Sequence, residues 1–419
     1  MTNGKLDLLI IFLHYHTGGA TTSLLNFVKA LDLNKYNVDL LFYEYDGQAD
    51  MEIPKGVNVL SQAKIHRKYG IKNVLFKTLY PPYMLSKLRA EYIRKVKKQE
   101  KRSIQMMSKQ GCRYSRRLDK KYDVAVSYEL TWPFNYTAKY VKADKKILWL
   151  HLDYDKSGYD YKIDRKNMQS FDRIVAVSKE CMNNFERLHP ELADKLRYMP
   201  NLMTSDAVRK RAEEAVTLPF NAEKDTLIFV TVCRIDFPHK GIDRGIEAFR
   251  KLKEEGMLKD VKWIIVGDGP DSKRMEDSIA DNDLGDYIYT VGEKKNPMPY
   301  MKKGDVFFLP SRFEGKPMAV TEAQMVGAVP AVARFASAGE QISNGEDGFI
   351  FDNNDDAIYS GLKYIIQNRD ILKKMKYTVI NRNYGNEYEI AVFDSIIDEL
   401  YAQGRSDGVG KGSEYRDNK

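Results

Sequence analysis

The sequence predicts an α/β protein with parallel β-sheets in two domains, and three observations support this class. Residues 305–309 read as a buried strand, a glycine-containing loop and a helix follow, and residues 331–333 read as the next strand. Strand, loop, helix and strand make half of a parallel-sheet unit. Residues 6–13 read as a buried strand that leads through a glycine turn into a helical pattern. A chain of 419 residues is long enough for two domains, each with its own core.

The predicted helix between residues 310 and 330 carries sequence signals at both ends. Pro317 suits the first helical position, where its missing N–H costs nothing, and Gly327 suits the left-handed position just past the end. The loop before the helix places Glu314, Gly315 and Lys316 at its N-terminus. Unpaired N–H groups and the helix dipole attract an anion there.

A second carboxylate, Glu322, follows inside the same predicted helix. It lies five residues beyond Pro317, which is roughly 7–8 Å further along the axis at about 1.5 Å per residue. A carboxylate accepts two hydroxyl hydrogen bonds, so Glu314 and Glu322 suit a ligand with an anionic centre and polyhydroxy groups on either side. A nucleotide-sugar fits that description.

Glu314 and Glu322 also form an E-x7-E pattern, which resembles that of the retaining glycosyltransferases of family 4. The resemblance implies the GT-B fold, in which two doubly wound Rossmann-like domains face each other across a cleft. It further implies that Glu314 contacts the donor sugar and that Glu322 holds the nucleotide ribose. The alternative is a solvated Glu314 and a Glu322 on the helix surface.

Two cations flank the loop that follows the predicted strand 226–232. The family usually has Gly-Arg-Leu and then Lys-Gly at this place, and the resemblance implies that Arg234 and Lys240 neutralise the departing diphosphate, together with N–H groups around Met318 and Ala319. Cys233 stands where the family usually has glycine. The alternative for the two cations is an ordinary surface position.

His151 follows the predicted strand 146–150 directly. Ligands of open α/β sheets collect at the carboxyl ends of strands, which favours a functional histidine over a purely structural one. In the resembling family a histidine at this position lies near the transferring sugar carbon. The residues 153–155 form a DxD sequence, for which we do not predict metal binding. Protein cations take the role that a metal would have, so no metal and no cofactor are expected.

Gly18 and Gly19 lie in the turn after the first predicted strand. A GxGxxG sequence is absent there, which argues against a dinucleotide fingerprint. The resemblance implies that the glycine pair closes against the donor phosphates and the acceptor, and the alternative is a turn that serves chain geometry alone. Glu293 follows the predicted strand 287–291, where the backbone of the family meets the base. Lys316 replaces a more usual apolar residue, which leaves the identity of the hexose open.

The predicted domain organisation has four parts. Residues 1–201 form a Rossmann-like acceptor-binding domain with a basic helical insert at 62–121, and residues 202–385 form a Rossmann-like nucleotide-sugar-binding domain. Residues 386–403 form a helix that crosses back to the first domain, as the resemblance implies. Residues 404–419 are rich in glycine, serine and charge, so we expect a mobile tail.

The net charge of +8 is concentrated in the insert. Residues 64–121 hold nineteen Lys or Arg and three acidic residues. Because apolar and aromatic residues lie between these cations, the pattern is typical of a protein that contacts an anionic membrane surface. The alternative is a solvated helical face. Nucleic-acid binding would need a broader basic footprint and a binding motif, so we do not expect it.

The expected location is cytoplasmic, with peripheral attachment to the inner face of the cell membrane. No apolar run approaches the roughly 20 residues that span a bilayer, and no signal-peptide pattern opens the sequence. Cys112, Cys181 and Cys233 are far apart and lack CxxC spacing, which favours a reducing compartment.

The sequence thus predicts a retaining, metal-independent glycosyltransferase. The donor is a nucleoside-diphosphate sugar, with UDP-hexose or UDP-N-acetylhexosamine favoured. The acceptor is a hydroxyl of a glycan or lipid-linked glycan in the synthesis of bacterial surface polysaccharide or cell-wall glycan. The alternative is another GT-B enzyme that acts on nucleotide-sugars without a glycan acceptor, such as an epimerase or a sugar-phosphate synthase. The missing GxGxxG disfavours a nicotinamide oxidoreductase.

Overall fold

A computed structural model describes residues 4–14, 19–44, 53–61 and 81–409. These residues form two parallel β-sheets with helices on both faces. The first sheet has seven strands in the order β3-β2-β1-β4-β5-β6-β7, and the second has six in the order β10-β9-β8-β11-β12-β13. Two doubly wound sheets of this kind are the predicted fold class, which is therefore confirmed.

The first sheet and its helices use the first half of the chain. Its strands are β1 Leu6–His14, β2 Tyr36–Glu44, β3 Asn58–Ser61, β4 Tyr122–Ser127, β5 Ala143–Leu150, β6 Arg173–Ala176 and β7 Leu196–Tyr198. Its helices are α1 Gly19–Ala30, α2 Pro81–Lys95, α3 Glu100–Gly111, α4 Trp132–Tyr140, α5 Tyr161–Met168 and α6 Lys179–Leu188. Two short 3-10 helices, Cys112–Tyr114 and Pro190–Lys195, complete this half.

The second sheet follows a connecting helix, α7 Ser205–Ala212. Its strands are β8 Leu227–Val232, β9 Val261–Val266, β10 Ile288–Thr290, β11 Val306–Leu309, β12 Val329–Ala333 and β13 Phe349–Phe351. Its helices are α8 Phe237–Lys240, α9 Ile242–Glu254, α10 Ser272–Asp281, α11 Met298–Lys303, α12 Met318–Val326, α13 Ala338–Gln341, α14 Asp355–Gln367 and α15 Asp370–Asn381. A 3-10 helix, Glu387–Glu389, then leads into α16 Ile390–Val409.

The central strands are apolar because both faces of each sheet are covered. Leu8 to Phe12 in β1 are fully buried, and so are Val306 to Phe308 in β11. Parallel sheets covered on both sides read as continuous apolar runs, which is why the sequence located these strands. Burial thus fixes where the strands lie and where their carboxyl ends deliver side chains.

The last helix, α16, packs on the core of the first sheet. Phe393, Ile396, Ile397 and Leu400 are buried there together with residues of β1 and α1. The aromatic ring of Phe393 lies edge-on to Phe27, with 4.9 Å between the ring centroids. The helix continues to Val409, beyond the residue at which the sequence predicts a tail. Residues 410–419 lie outside the described residues.

Asn386 joins by hydrogen bonds the two segments in which the chain crosses between the sheets. Its Oδ1 accepts a hydrogen bond from Met203 N at 2.8 Å, and its own N–H donates to Met203 O at 3.0 Å. Its side-chain amide also donates to Asn201 O at 3.1 Å. The outgoing segment after β7 and the returning segment before α16 therefore lie side by side.

The described part of the basic insert is a pair of helices, α2 and α3. Ala90 and Ile93 face inward and are buried, whereas Leu85, Leu88 and Tyr92 on the opposite face of α2 are exposed. The earlier part of the predicted insert, residues 62–80, lies outside the described residues. Among the described residues, no helix combines the length and the apolar character needed to cross a membrane.

One predicted boundary is wrong by a residue. Pro317 is the capping residue of α12 rather than its first helical residue, because its ψ of 118° is extended. The helix begins at Met318 and ends before Gly327, whose φ of 92° is left-handed as predicted.

Candidate functional site

The candidate site lies where the strand order of the second sheet reverses. β8 pairs with β9 on one side and with β11 on the other. The chain leaves β8 through Arg234 towards Lys240, and it leaves β11 through Ser311 towards Glu314. Ligands of open α/β sheets bind in the crevice outside the carboxyl ends at such a reversal.

Glu314 is held by three neighbours at this reversal. Lys240 Nζ donates to Glu314 Oε1 at 2.6 Å, and Ser311 Oγ donates to the same oxygen at 2.7 Å. His239 Nε2 lies 3.5 Å from Glu314 Oε2. The His239 ring stacks on Phe313, with 4.3 Å between the centroids and 5° between the planes. Glu314 is therefore fixed on both of its carboxylate oxygens.

The charge state of this cluster follows from these contacts. Burial alone would raise the pKa of Glu314, but the charge of Lys240 and the contact with His239 outweigh it and lower the pKa to about 2. Burial would lower the pKa of Lys240, but the Glu314 carboxylate outweighs it and raises that pKa. Both groups are therefore charged at neutral pH.

Gly315 brings the second domain against the first. A Cβ atom at this position would lie 2.3 Å from the backbone oxygen of His151, so only glycine permits this approach. The Gly315 carbonyl accepts a hydrogen bond from Ser337 Oγ and lies 3.7 Å from Cys181 Sγ. The predicted residues His151 and Gly315, which come from different sheets, thus meet.

His151 lies at the carboxyl end of β5 beside Tyr128. The ring centroids of these two residues are 4.7 Å apart. His151 Nε2 is shielded from solvent and has no hydrogen-bond partner among the described residues. Burial lowers the pKa of His151 to about 4, against smaller opposing effects of Tyr128 and Asn201. The ring is therefore neutral at physiological pH.

A second contact between the domains involves Glu340 in α13. Its Oε1 accepts from Glu180 N at 2.8 Å and from Ser178 Oγ at 3.1 Å, and its Oε2 accepts from Lys179 N at 3.3 Å. A carboxylate at the N-terminus of a helix satisfies its free N–H groups. Glu340 therefore caps α6 of the other domain.

Lys316 lies next to Glu340 and its contact with α6. Its Nζ is 3.9 Å from Glu340 Oε2 and donates to Tyr198 Oη at 3.3 Å. Burial lowers the pKa of Lys316. A cavity of about 230 Å³ opens next to it, lined by residues that include Asn201, Met318, Thr321, Gln341 and Glu389.

Glu322 is buried inside α12 without a hydrogen-bond partner or paired cation among the described residues. Burial raises the pKa of Glu322 to about 7, and the distant Arg211 opposes this only weakly. The predicted Met318 and Ala319 form the first turn of the same helix. At the entrance to that turn, Gln341 donates to Pro317 O at 3.1 Å.

The remaining predicted residues are not part of these contacts. Arg234 and Glu293 are exposed, and neither pairs with another described residue. Gly19 is the exposed first residue of α1, and Gly18 lies outside the described residues. The structure brings Lys240, Glu314, Gly315 and His151 together, and it leaves Arg234 at the rim of the same strand end.

The DxD sequence has structural partners. Asp155 Oδ1 lies 3.0 Å from His189 Nε2, and Asp153 is buried 3.8 Å from Lys156. In the described part of the chain, no group of three or more His, Cys, Asp or Glu side chains has a metal-binding arrangement.

Sequence reasoning missed three residues of the site: His239, Ser311 and Glu340. His239 and Ser311 are next to predicted motif residues, so their position after a strand end was a usable signal. Glu340 contacts a helix about 160 residues away along the chain, and no local pattern indicates this contact.

A second cavity of about 730 Å³ extends from Glu314 to Asp153 and Asn353.

Comparisons with known proteins show what parts of the chain are similar to. The model of the family described as glycosyl transferases group 1 matches residues 213–382. This range is less than half of the chain and contains Arg234, Lys240, Glu314 and Glu322. It leaves the first sheet unmatched.

Two curated relatives match parts of the chain. An uncharacterized glycosyltransferase of Methanocaldococcus jannaschii is 28% identical over 153 residues, which are 36% of this chain and 37% of that protein. The UDP-Gal:alpha-D-GlcNAc-diphosphoundecaprenol alpha-1,3-galactosyltransferase of Escherichia coli is 29% identical over 134 residues, 32% of this chain and 34% of that protein. The chain therefore spans about a third of the length of these relatives.

The fold extends over nearly the whole chain. Anabaena HepE in complex with UDP and glucose superposes with a TM-score of 0.64 at 14% identity, over 95% of this chain and 100% of that one. A glycosyltransferase of Rickettsia africae superposes with a TM-score of 0.61 at 17% identity, over 95% of this chain and 99% of that one. The fold is therefore GT-B, and the second domain is similar to group 1 glycosyltransferases.

Proposed function

We propose that the protein is a retaining glycosyltransferase of family 4. It transfers a hexose-type unit from a nucleoside-diphosphate sugar to a hydroxyl of a glycan or lipid-linked acceptor. The observation that carries this proposal is the Lys240–Glu314 pair at the strand reversal, 2.6 Å between Nζ and Oε1, beside the N-terminus of α12. A cation and a row of free N–H groups at one place suit a diphosphate.

The proposed chemistry is stabilisation of the leaving group. As the glycosidic bond breaks, negative charge grows on the β-phosphate and positive charge grows on the sugar. Arg234, Lys240 and the N–H groups of Met318 and Ala319 stabilise the phosphate. His151 and Glu314 orient the sugar, and the departing phosphate helps to deprotonate the acceptor on the same face, which gives retention. Protein cations take the role of a metal.

Other residues of the site have proposed roles in donor binding. Glu322 binds the ribose hydroxyls, the backbone at Glu293 meets the base, and the Gly18-Gly19 turn closes against the donor phosphates and the acceptor. UDP is favoured because the Escherichia coli relative is named for UDP-Gal and the HepE structure contains UDP. That relative is also named for a diphosphoundecaprenol-linked acceptor, which supports a lipid-linked glycan in polysaccharide synthesis.

We also propose that α2 docks on an anionic membrane surface. Leu85 and Leu88 are 66% and 63% exposed, and Tyr92 and Val96 continue the same stripe along the chain. Around this stripe the sequence is basic, with Lys87, Arg89, Arg94, Lys95, Lys97 and Lys98. Apolar side chains flanked by cations bind the boundary between headgroups and acyl chains of anionic bilayers. This surface would hold the enzyme where a lipid-linked acceptor is found.

The first experiment is thermal unfolding with UDP, GDP or ADP, each with and without a chelator. A ligand that binds only the folded state adds about 2.7 kcal/mol at 100 times its Kd, which gives an easily measured rise in Tm. We expect a rise with UDP that persists with the chelator. A protein that none of the three nucleotides stabilises would contradict the proposed donor site.

Flotation with vesicles tests the membrane surface. We expect binding to phosphatidylglycerol vesicles that weakens with salt, and loss of binding when Leu85 and Leu88 are both replaced by serine. Tyr377→Ser removes a similarly exposed large side chain from α15 and is the control. Equal binding to neutral vesicles, or no binding to anionic ones, would contradict the proposal.

A further inference from the structure

The first sheet has a strand reversal of its own, between β1 and β4. The two strands are parallel neighbours, with Ile11 opposite Ser127, while β2 lies on the other side of β1. The crevice outside the carboxyl ends at this reversal is the expected place for a ligand, as it is in the second sheet. None of the site residues predicted from the sequence lies on the chain that leaves β4.

Glu129 is the charged residue at that place. It follows β4 by two residues, and its Oε2 accepts a hydrogen bond from Leu13 N, near the end of β1, at 3.1 Å. Its backbone carbonyl accepts from Ser127 Oγ at 2.8 Å. The side chain therefore spans the two diverging strands, and both its carboxyl group and its backbone are anchored.

The backbone just after Glu129 is strained. Thr131 has φ 72° and ψ −119°, a conformation that a β-branched residue rarely adopts. Asn135 holds the Thr131 carbonyl through both its backbone N–H, at 3.1 Å, and its side-chain amide, at 2.8 Å. Asn167 in turn donates to Asn135 Oδ1 at 2.8 Å. Strained backbone that is held by its surroundings occurs preferentially at functional sites.

The surroundings of Glu129 favour an uncharged ligand. No cation among the described residues pairs with the Glu129 carboxyl group. No described residue donates a hydrogen bond to Glu129 Oε1. Burial raises the pKa of Glu129 to about 7, so the group accepts or donates a hydrogen bond near neutral pH. A phosphate or carboxylate ligand would be repelled by the ionised form, whereas a sugar hydroxyl is a partner for both forms.

The residue before Glu129 contacts His151, which belongs to the proposed site of sugar transfer. Tyr128, the residue before Glu129, has its ring 4.7 Å from that of His151, and the His151 backbone lies against Gly315 of the other domain. Glu129 thus directly follows a residue that contacts His151, at the carboxyl end of the first sheet.

We propose that Glu129 is an acceptor-binding residue whose carboxyl group hydrogen-bonds a hydroxyl of the incoming sugar acceptor. This proposal rests on the proposed glycosyltransferase function. It assigns the acceptor to the strand reversal of the first sheet and the donor to that of the second. The ligand is a neutral polyhydroxy group.

The test compares transfer with hydrolysis in Glu129→Gln. Glutamine has nearly the same shape, and its carbonyl oxygen still accepts from Leu13 N, so the fold should be retained. UDP-glucose and UDP-galactose are the donors, water is one acceptor, and high millimolar octyl glucoside, octyl galactoside and octyl N-acetylglucosaminide are the others. Glu276→Gln, an exposed position in α10, is the matched control.

The amide nitrogen that replaces Oε1 can donate to a hydroxyl but cannot accept from one. We therefore expect Glu129→Gln to lower the ratio of transfer to hydrolysis at least tenfold, with the hydrolysis rate and the rise in Tm with UDP unchanged. An unchanged ratio, or an equal loss of both rates, would overturn the proposal and leave Glu129 a structural partner of Leu13. Wild-type protein that hydrolyses a donor but transfers to none of the glycosides would also count against it. Absence of both hydrolysis and UDP stabilisation would instead contradict the proposed function itself.

If Glu129→Gln fails to fold, Glu129→Asp provides the same comparison, because it keeps the charge and withdraws the carboxyl group by one methylene. We expect this variant to show a lower ratio of transfer to hydrolysis as well. A wild-type ratio in Glu129→Asp would overturn the proposal.

Discussion

The two strand reversals of this molecule place a glutamate at comparable positions but in opposite electrostatic surroundings. Glu314, after β11, is paired with Lys240 and has a pKa of about 2, whereas Glu129, after β4, has no paired cation among the described residues and a pKa of about 7. Both are partly or fully buried, so burial raises both pKa values. Lys240, which follows β8, lowers the pKa of Glu314, whereas residues 15–18, which follow β1, lie outside the described residues.

This difference indicates that the two reversals suit different kinds of ligand. A reversal with fixed cations and a helix N-terminus suits an anion, and it retains its charge over the whole physiological pH range. A reversal with a carboxyl group alone suits a neutral ligand with hydroxyl groups. One fold repeated twice thus offers an anion site on one face of the cleft and a hydroxyl site on the other.

Removal of the Lys240 charge at the strand reversal of the second sheet should have the largest effect on the transfer rate. In Lys240→Met we expect the transfer rate to fall about a thousandfold, because a charge that stabilises the leaving phosphate is lost. The pKa of Glu314 should rise as well. Steady-state kinetics with UDP-sugar measures the loss, and Lys302→Met, an exposed lysine in α11, is the control. Activity within threefold of wild type would show that Lys240 does not act on the donor.

The same pair predicts how stability depends on pH. The folded-state pKa of Glu314 is lower than the usual value of 4.5, so the pair stabilises the fold above about pH 4.5 and loses this contribution as pH falls towards about 2. Lys240→Met should remove that dependence. Denaturant unfolding between pH 3 and pH 6 measures it, and a parallel decline in wild type and variant would contradict the assignment.

A substitution that prevents the close contact between Gly315 and the His151 backbone should have the next largest effect. The Cβ atom of Gly315→Ala would lie 2.3 Å from the His151 backbone oxygen, so the domains cannot approach as closely. We expect about a hundredfold loss of transfer with normal far-UV circular dichroism and normal UDP binding. Gly285→Ala, where no atom lies within 4 Å of the new methyl group, is the matched control. Full activity of Gly315→Ala would mean that this contact is not needed for transfer.

Glu322 provides a test within the donor side alone. Its pKa of about 7 means that the proton must leave before the carboxylate accepts two ribose hydroxyl groups. UDP affinity should therefore fall by up to about tenfold per pH unit below pH 7, and Glu322→Gln should flatten this profile. Calorimetry between pH 5.5 and pH 8 measures it. An unchanged pH profile in Glu322→Gln would assign the titration to another group.

Removal of the cap that Glu340 forms on α6 should have the smallest effect. Loss of a helix cap costs about 1 kcal/mol, so Glu340→Ala should lower about fivefold the equilibrium constant between domains joined at Glu340 and domains apart. Small-angle scattering of the UDP complex and the transfer rate measure this change. Glu346→Ala, an exposed glutamate of the same domain, is the control. Identical scattering curves for Glu340→Ala and wild type would contradict a role in domain closure.

The sequence predicted the fold better than the contacts between the domains. Residues Leu8 to Phe12 of β1 and all of β11 are continuous apolar runs, which burial on both faces requires, and Gly327 marks the helix end through its left-handed backbone. The approach of Lys240 to Glu314 follows from two neighbouring strand ends. Glu340 and Glu129 were not recognised, because each depends on a partner that is distant in sequence and on no local periodicity. The retaining mechanism and the roles of all the predicted site residues stay predictions.

The hydrogen bonds of Asn386 restrict how the cleft can open. Since this residue joins the outgoing and returning segments to each other, the two crossings behave as a single pivot rather than as two independent linkers. We therefore expect relative motion of the domains to be centred on this point, where both crossings lie. The proposed anion site and the proposed hydroxyl site would then return to a similar alignment whenever the domains come together.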